Sequence, residues 1–307
     1  MLRDNNVGNY AIVSPVRNEQ ENIGLTLDSV VSQTVLPRQW IIVDDGSTDQ
    51  TATIVSEYAR TFPWIRLVHR KDHGKTFGVA QGQVIKAFYE GFRYVNLNAL
   101  GFVCKLDGDL VLGPDYFEQL LNRAANDAKL GIISGVTYYM YGGRRILEST
   151  PGHHTLGAAS LYRTACFQEI GGLVTSLGWD TLDGIRAQMR GWKTRSYPEL
   201  QILHLRPMSS SGDWDKGRIS NGRTDYLLGY HPLFELARCI FRMFHPPYFK
   251  GGLLMLFGYI RAAMRGDEQV VTAEERRFLQ RQQLRRLIWK LENPFGRMLL
   301  SQKPSEK

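Results

Sequence analysis

Two aspartates separated by a glycine, Asp107 and Asp109, are the residues of this sequence best placed to do chemistry. They follow the apolar run FVCKL, and side chains at positions i and i+2 of an extended segment point the same way. Gly108 allows the backbone between them to bend tightly. Two such carboxylates can approach one hard divalent cation and leave coordination positions open for phosphate oxygens. The pattern predicts a site for Mg²⁺ or Mn²⁺, with a solvated turn as the alternative.

A second acidic cluster, DDGSTD, begins at Asp44 and follows the apolar run WIIV. The last acid of the cluster, Asp49, can cap the helix expected from Thr51. Asp44 and Asp45 are harder to explain as turn residues, and a carboxylate at the end of a strand can accept a hydrogen bond from a base N–H or a ribose hydroxyl. We therefore predict that Asp44 and Asp45 contact a nucleotide and that Asp49 is structural. A capped turn is the alternative for the whole cluster.

These clusters stand at the ends of strands in a repeating pattern of strands and helices. Four short apolar runs alternate with stretches of helical periodicity. The runs are Tyr10–Ser14, Trp40–Val43, Ile65–Val68 and Phe102–Leu106. Such alternation predicts an α/β fold with a doubly wound, mostly parallel sheet, and such sheets bind ligands outside the carboxyl ends of their strands. Arg17–Glu19, Asp44–Asp49 and Asp107–Asp109 each follow a strand, so we expect them to share one edge of the sheet.

The order and spacing of three motifs resemble the family 2 glycosyltransferases, which have the GT-A fold. The motifs are VSPVRNEQENI from Val13, IIVDDGSTD from Ile41 and KLDGD from Lys105, and the likeness extends over roughly residues 10–205. The resemblance implies a nucleotide-sugar donor and a divalent metal. It assigns the donor site to Pro15, Arg17, Glu19, Asp44, Asp45, Lys75 and Asp107. A solvated lysine is the alternative for Lys75.

The resemblance also points to a catalytic base. Ile170–Leu173 resembles a turn that precedes the acceptor site in the family, and the helix that follows ends near Gly191. Counting back from Gly191 places Asp180 on the acid that the family uses as general base. Trp179 stands where the family has glutamate, so Asp183 is a second candidate. A helix N-cap is the alternative role for Asp180.

The resemblance completes the metal site with His204, which lies in the segment ILHLRP. Related GT-A enzymes place a histidine there as a metal ligand or phosphate contact, and a structural histidine is the alternative. In sugar transfer the metal would stabilise charge on the diphosphate, and Asp180 would take the proton of the acceptor hydroxyl. A single base opposite the leaving group, with no nucleophilic carboxylate identified beside the sugar carbon C1, predicts inversion at C1, and the family resemblance implies the same outcome.

The polar segment of residues 209–230 is rich in glycine and serine. We interpret it either as a linker or as a lid that closes over the donor. In the second case Arg218 and Arg223 would contact the diphosphate.

The chain is predicted to divide into a GT-A catalytic domain, residues 1–225, and a helical C-terminal extension, residues 226–307. The extension is apolar but interrupted at His245–Pro247, and no stretch reaches the ~20 apolar residues that span a bilayer. It is interpreted either as a helical pair on the catalytic domain or as a hairpin in the membrane interface. Six basic residues from Arg276 to Lys290, with no acid among them, favour an anionic membrane surface.

The net charge of +8 comes with no signature of a nucleic-acid-binding motif, so we expect no nucleic-acid partner. The three cysteines have no CxxC spacing and the N-terminus has no apolar signal region. Together these features predict a cytoplasmic enzyme at the inner face of the cell membrane. Its acceptor would be a saccharide or a lipid-linked or growing polysaccharide.

Two other functions fit parts of the pattern. A sugar-nucleotide nucleotidyltransferase shares the scaffold and the metal, but its GxGtR signature after the first strand is replaced here by VSPVRNEQ. A non-catalytic GT-A scaffold in a membrane complex is supported only by Trp179. A pyrophosphorolysis assay and a donor-transfer assay separate these functions from a glycosyltransferase.

Overall fold

A computed structural model describes residues 9–70, 82–148, 155–206, 214–244 and 248–292. The chain separates into two compact units, Met1–Ser211 and Gly212–Lys307. The sequence placed a boundary after residue 225, but that position lies inside the helix Trp214–Leu227. The whole of this helix belongs to the second unit.

The described part of the first unit contains one sheet of nine strands with helices between them. The strands are β1 (Tyr10–Val16), β2 (Gln39–Asp44), β3 (Ile65–His69), β4 (Phe102–Leu106), β5 (Leu110–Val111), β6 (Leu130–Tyr141), β7 (Arg144–Leu147), β8 (Ala159–Arg163) and β9 (Lys193–His204). The helices are α1 (Ile23–Val31), α2 (Thr51–Thr61), α3 (Gln83–Phe92), α4 (Tyr116–Asn126), α5 (Thr164–Glu169) and α6 (Trp179–Met189).

The strands lie in the order β3-β2-β1-β4-β8-β6-β9-β5, and β7 pairs with β6. The strands β3, β2, β1 and β4 run parallel to one another, as the alternating pattern predicted. β8 then runs antiparallel to both β4 and β6, whereas β9 is parallel to β6 and β5 is antiparallel to β9. The predicted doubly wound α/β fold is confirmed, and the antiparallel strands are an addition that the pattern did not predict.

Apolar side chains cover both faces of the sheet. On β1, Tyr10 and Ile12 join one buried cluster and Val13 joins another, because successive side chains of a strand point to opposite faces. Helices α1, α2 and α4 pack on the first face, and α3, α5 and α6 pack on the second. The sheet is therefore buried on both faces, which leaves the carboxyl ends of its strands for ligands.

The second unit contains four helices in its described part: α7 (Trp214–Leu227), α8 (Pro232–Met243), α9 (Lys250–Arg265) and α10 (Ala273–Glu292). Helices α7 and α9 cross closely, since a β-carbon added at Gly222 would lie 1.8 Å from the carbonyl oxygen of Met255. Likewise, a β-carbon at Gly258 would lie 2.1 Å from the carbonyl oxygen of Ile219.

This helix contradicts the interpretation of residues 214–227 as a flexible linker, whereas a lid over the donor stays a prediction. Residues 214–227 form α7, and residues 209–213 lie outside the described residues. The glycine content that suggested flexibility instead allows two helix backbones to approach. Within the described ranges, no helix has both the length and the apolar composition needed to cross a membrane.

Candidate active site

Three parallel strands end side by side at one edge of the sheet. β1 and β2 are in register up to Val16 opposite Asp44, and β4 runs parallel on the other side of β1. The backbone N–H of Asp45 donates to the carbonyl oxygen of Val16 at 2.9 Å. The acidic turns that follow these strands therefore lie at the same edge.

Asp44 and Asp45 are both buried at the start of the DDGSTD turn. Asp44 accepts a hydrogen bond from the Ser47 N–H at 3.0 Å, and its other oxygen lies 3.3 Å from Nδ1 of His69. Asp45 pairs with the guanidinium of Arg70 at 2.8 Å. These contacts hold both carboxylates where β2 and β3 end. Their predicted contact with a nucleotide stays a prediction.

Asp49 has the structural role that the sequence predicted for it. One carboxylate oxygen accepts hydrogen bonds from the Thr51 N–H (3.0 Å) and hydroxyl (2.6 Å), and the other accepts from the Gln20 N–H (3.1 Å). Partial burial would raise the pKa of Asp49, but these hydrogen bonds outweigh it and lower the pKa. Asp49 thus fixes the turn that leads into α2.

The other donor-site candidates lie around the end of β1. Pro15 is a buried residue of this strand and pairs with Val43 of β2. Arg17 is partly exposed just beyond the strand. Lys75 lies outside the described residues.

Glu19 is buried beside the turn after β1 and makes contacts with three other residues. Its backbone N–H donates to the Thr51 hydroxyl at 2.8 Å, and its side chain accepts from the amide of Asn22 at 3.0 Å and pairs with Arg206. Burial raises the pKa of Glu19, although Asn22 and Arg206 act to lower it. Glu19 is therefore held by Arg206, a cation that the sequence analysis did not identify.

The turn between Asp107 and Asp109 is fixed by its neighbours. A β-carbon at Gly108 would lie 2.8 Å from a methyl group of Val16, so glycine is required for this close approach. The Thr26 hydroxyl donates to the carbonyl oxygen of Gly108 at 2.9 Å and accepts from the Leu110 N–H at 3.2 Å. The loop from Asp107 to Asp109 is consequently held in one conformation.

Asp107 makes two contacts toward the β8 side of the sheet. Its backbone N–H donates to the carbonyl oxygen of Ala158 at 2.9 Å, and its carboxylate lies 2.5 Å from Nζ of Lys105. Lys105 is almost completely buried and also lies 5.1 Å from the ring centre of Trp179. The unexpected tryptophan therefore packs against the cation that pairs with Asp107.

Strand pairing brings His204 to Asp109. The short strand β5 places Leu110 opposite His204 of β9, one residue after the aspartate. Nε2 of His204 lies 3.4 Å from Oδ2 of Asp109, and Nδ1 lies 2.6 Å from Oε2 of Glu148. Arg206 reaches the same Asp109 oxygen at 3.3 Å. Asp109 and His204 are nearly buried, so this imidazole is held between two carboxylates in a largely dry site.

The charges of this cluster favour a protonated imidazole beside Asp109. Burial would raise the pKa of Asp109, but His204 and Arg206 lower it overall. Burial would lower the pKa of His204, but Asp109 and Glu148 raise it to about 10. The imidazole thus binds a proton tightly, and a metal ion competes with a proton for the same nitrogen lone pair.

Asp109 and His204 fit a divalent metal as a partial ligand set. Their facing atoms are 3.4 Å apart, and Mg²⁺ or Mn²⁺ in nucleotide enzymes is commonly held by one or two protein side chains plus phosphate oxygens. Among the described residues no group of three or more His, Cys, Asp or Glu side chains could hold a metal ion. Asp107 as a third metal ligand stays a prediction, and phosphate would have to supply further ligands.

Asp180 and Asp183 lie on the same helix in different environments. Asp180 is in the first turn of α6, is partly exposed, and accepts from the Thr181 N–H at 2.9 Å. A β-carbon at Gly157 would lie 3.1 Å from its Oδ2. Asp183 is fully buried and accepts from the Tyr162 hydroxyl at 3.1 Å, and burial raises its pKa well above the usual value. Of the two carboxylates, Asp180 is the one with an exposed surface.

The two arginines predicted to contact the diphosphate lie on α7 in the second unit. Arg223 pairs with Asp267 at 2.7 Å. The guanidinium of Arg218 lies 4.9 Å from the ring centre of Trp214, and burial together with Arg242 lowers its pKa to about 10. Both arginines therefore have contacts within their own unit, and their contact with a donor stays a prediction.

Three residues of the cluster were missed by the sequence analysis: Lys105, Glu148 and Arg206. Lys105 and Arg206 stand inside quoted motifs, KLDGD and ILHLRP, where they were not considered. Glu148 follows β7, and its N–H donates to the carbonyl oxygen of Thr137 on β6 at 2.9 Å. That hairpin carries Glu148 to His204, and no local pattern indicates it.

Comparison with known proteins identifies the family. The profile of the family described as "Glycosyl transferase family 2" matches residues 11–175, more than half of the chain. A 4,4'-diaponeurosporenoate glycosyltransferase of Staphylococcus aureus (strain USA300) is 33% identical over 130 residues, which are 42% of this chain and 32% of that protein. The matched segment thus spans about a third of the relative's length.

Solved structures agree on the fold. The mannosyltransferase PcManGT from Pyrobaculum calidifontis, in complex with GDP-Man and Mn²⁺, is similar with a TM-score of 0.52 and 18% identity, over 93% of this chain and 81% of that one. TarS 1–349 of S. aureus, in complex with UDP-GlcNAc, is similar with a TM-score of 0.53 and 14% identity, over 88% of this chain and 78% of that one. From the family match and this shared architecture we conclude that the chain belongs to glycosyl transferase family 2 and has the GT-A fold.

Proposed function

We propose that this chain is a metal-dependent, inverting glycosyltransferase that moves a sugar from a nucleoside diphosphate to a hydroxyl acceptor. The observation that carries the proposal is the buried pair of Asp109 and His204 at the edge where β1, β2 and β4 end. Donor binding would use this edge, with Asp44 and Asp45 toward the nucleoside and Asp107 toward the phosphates.

Asp109 and His204 would hold Mg²⁺ or Mn²⁺, which would stabilise the negative charge that grows on the leaving diphosphate. Glu148 would keep a proton on Nδ1 of His204, so that the Nε2 lone pair faces the ion. The similar structure of PcManGT, which contains GDP-Man and Mn²⁺, supports this assignment.

Asp180 would act as the general base. The oxygen of the acceptor hydroxyl bonds to sugar C1, the bond from C1 to the diphosphate oxygen breaks, and the hydroxyl proton passes to Asp180. One displacement by one nucleophile inverts the configuration at C1, so an α-linked donor gives a β-linked product. The partial exposure of Asp180 suits this role better than the burial of Asp183.

We further propose a saccharide or lipid-linked acceptor and a location at the inner face of the cell membrane. The relative named 4,4'-diaponeurosporenoate glycosyltransferase and the exposed apolar residues of α8 and α9 support this assignment. No nucleic-acid partner is expected.

The donor site is tested by calorimetric titration of UDP and of GDP, each with and without Mn²⁺. We expect one nucleotide to bind in a metal-dependent manner and Asp109→Ala to abolish the metal dependence. Asp115→Ala, which removes an exposed aspartate six positions later, serves as the matched control and should bind like the wild type. Metal-independent binding in the wild type, or unchanged binding by Asp109→Ala, would refute the assigned metal site.

A further inference from the structure

The second unit exposes a row of large apolar side chains on each of two adjacent helices. On α8 they are Leu233, Leu236 and Ile240, continued by Phe244 directly after the helix ends at Met243. On α9 they are Leu253, Phe257, Ile260 and Met264. The residues of each row recur at intervals of three, four or seven positions, which places them on one side of a helix, and each is between 43% and 84% exposed. We call the two rows together the apolar face.

The two rows lie on the same side of the helix pair. The helices are antiparallel, because the hydroxyl of Tyr259, late in α9, donates to the carbonyl oxygen of Tyr230, just before α8. Gly252 of α9 contacts Cys239 and Met243 of α8. On each helix, viewed along its axis from its N-terminus, the row is rotated by about a quarter turn from the contact residues. The direction of this rotation is the same on both helices. In an antiparallel pair, equal rotations turn both rows toward the same side.

Exposed aromatic residues occupy the connection between the two helices. Tyr248 and Phe249 are 63% and 64% exposed, and Phe244 ends the row on α8. Phe249 has a φ of 61°, a backbone conformation that a bulky residue rarely adopts. Neither burial nor backbone preference explains a phenylalanine at this position.

The exposed charges within α8 and α9 have one sign. The only acid in α8 and α9 is Glu235, which is buried and contacts Arg238 and the thiol of Cys239. Arg261 and Arg265 are exposed beside the row on α9, and the Arg261 guanidinium lies 6.0 Å from the ring centre of Phe257. Arginine can bury its alkyl stem against apolar groups while its charge stays in water.

We propose that the apolar face docks on a lipid bilayer that contains anionic lipids. Apolar and aromatic side chains would enter the region between headgroups and acyl chains, and the arginines at its border would contact the anionic headgroups. Docking against a second copy through the same face is less suitable, because it would bring arginine rows of equal sign together. The inference rests on the membrane location given under the proposed function and adds the surface that docks and the lipid charge that this surface requires.

Vesicle flotation tests the proposal on the full chain. We expect the protein to float with vesicles of phosphatidylcholine mixed with phosphatidylglycerol, and to bind pure phosphatidylcholine much more weakly. The double variant Leu253→Ser, Phe257→Ser should reduce partitioning by about tenfold or more, since binding scales with the apolar area inserted. Leu25→Ser, at a leucine of α1 that is 51% exposed, is the matched control and should float like the wild type.

A second pair of variants tests the charge. Arg261→Glu combined with Arg265→Glu should weaken binding to the anionic vesicles, whereas Arg60→Glu at the end of α2 should leave it unchanged. Nucleotide binding by calorimetry should be the same in all variants, so failure of docking is distinguished from failure of the donor site. If wild-type protein stays out of the vesicle fraction, or if the serine variants instead abolish a dimer seen in light scattering, the proposal is overturned.

Discussion

Asp180 and Asp183 differ by three positions on α6, and their surroundings separate their roles. Asp183 accepts a hydrogen bond from Tyr162 inside the protein, which keeps it away from substrates. Asp180 faces the loop at Gly157, close to the strand that pairs with β4. A base must reach the proton that it removes, and we therefore propose Asp180 as the base on its exposure alone.

Replacing Asp180 with asparagine should lower kcat by about 10²- to 10⁴-fold and leave donor affinity unchanged, because general base catalysis typically contributes this much. Release of UDP or GDP from UDP-GlcNAc and GDP-mannose measures turnover, and calorimetry measures affinity. Asp183→Asn is the matched control. It keeps an acceptor for Tyr162 and should change stability more than turnover. If the two variants exchange these effects, Asp183 is the base.

Glu148 should act on the metal through His204. Glu148→Ala is expected to weaken Mn²⁺ affinity by about 10- to 100-fold, because the partner that orients the imidazole is lost. Glu148→Gln keeps a hydrogen-bond acceptor and should lie between wild type and the alanine variant. Affinity is measured by Mn²⁺ titration in the presence of the nucleotide that binds.

The control for Glu148 is Glu199→Gln on β9, an exposed glutamate that pairs with Arg123 at 2.8 Å. We expect this variant to bind Mn²⁺ like the wild type. Equal metal affinity in the wild type and Glu148→Ala would contradict a positioning role. Thermal unfolding of each variant separates that result from a general loss of structure.

At the scale of elements, close helix crossing gives α7 its place in the second unit. Gly222 and Gly258 lie at the points where α7 and α9 approach most closely, and each faces a carbonyl group of the other helix. A backbone carbonyl cannot rotate away as a flexible side chain can. These two glycines therefore set the spacing of the helices.

Gly258→Ala should destabilise the protein by about 1–3 kcal/mol, because the added methyl would lie 2.1 Å from the carbonyl oxygen of Ile219 and force the helices apart. Gly24→Ala in α1 is the control, since a β-carbon there has nothing within 4 Å. It should stabilise the protein by about 0.4–1 kcal/mol, because alanine lowers the conformational entropy of the unfolded chain. Urea unfolding followed by circular dichroism measures both. Equal stability of Gly258→Ala and wild type would contradict the close crossing.

At the scale of the whole molecule, the sequence predicted what local patterns encode. Short apolar runs and the polar turns after them gave four strands and the edge on which they end. The contact between Asp109 and His204 joins residues far apart in the chain and depends on pairing of β5 with β9, so only the family resemblance indicated it. Glu148 arrives through a hairpin for the same reason. Composition suggested flexibility where α7 forms, but Gly222 serves helix packing instead.

One hydrogen bond between peptide groups connects the two ends of the proposed site. The Asp107 N–H donates to the carbonyl oxygen of Ala158, and the neighbouring Gly157 lies against Asp180. Side-chain replacement leaves this connection intact, since both of its atoms belong to the backbone. In the proposed function, this bond would keep the phosphate side and the base side of the site at a fixed separation while the side chains around it change. Among single replacements at position 107, only proline would remove the donor N–H.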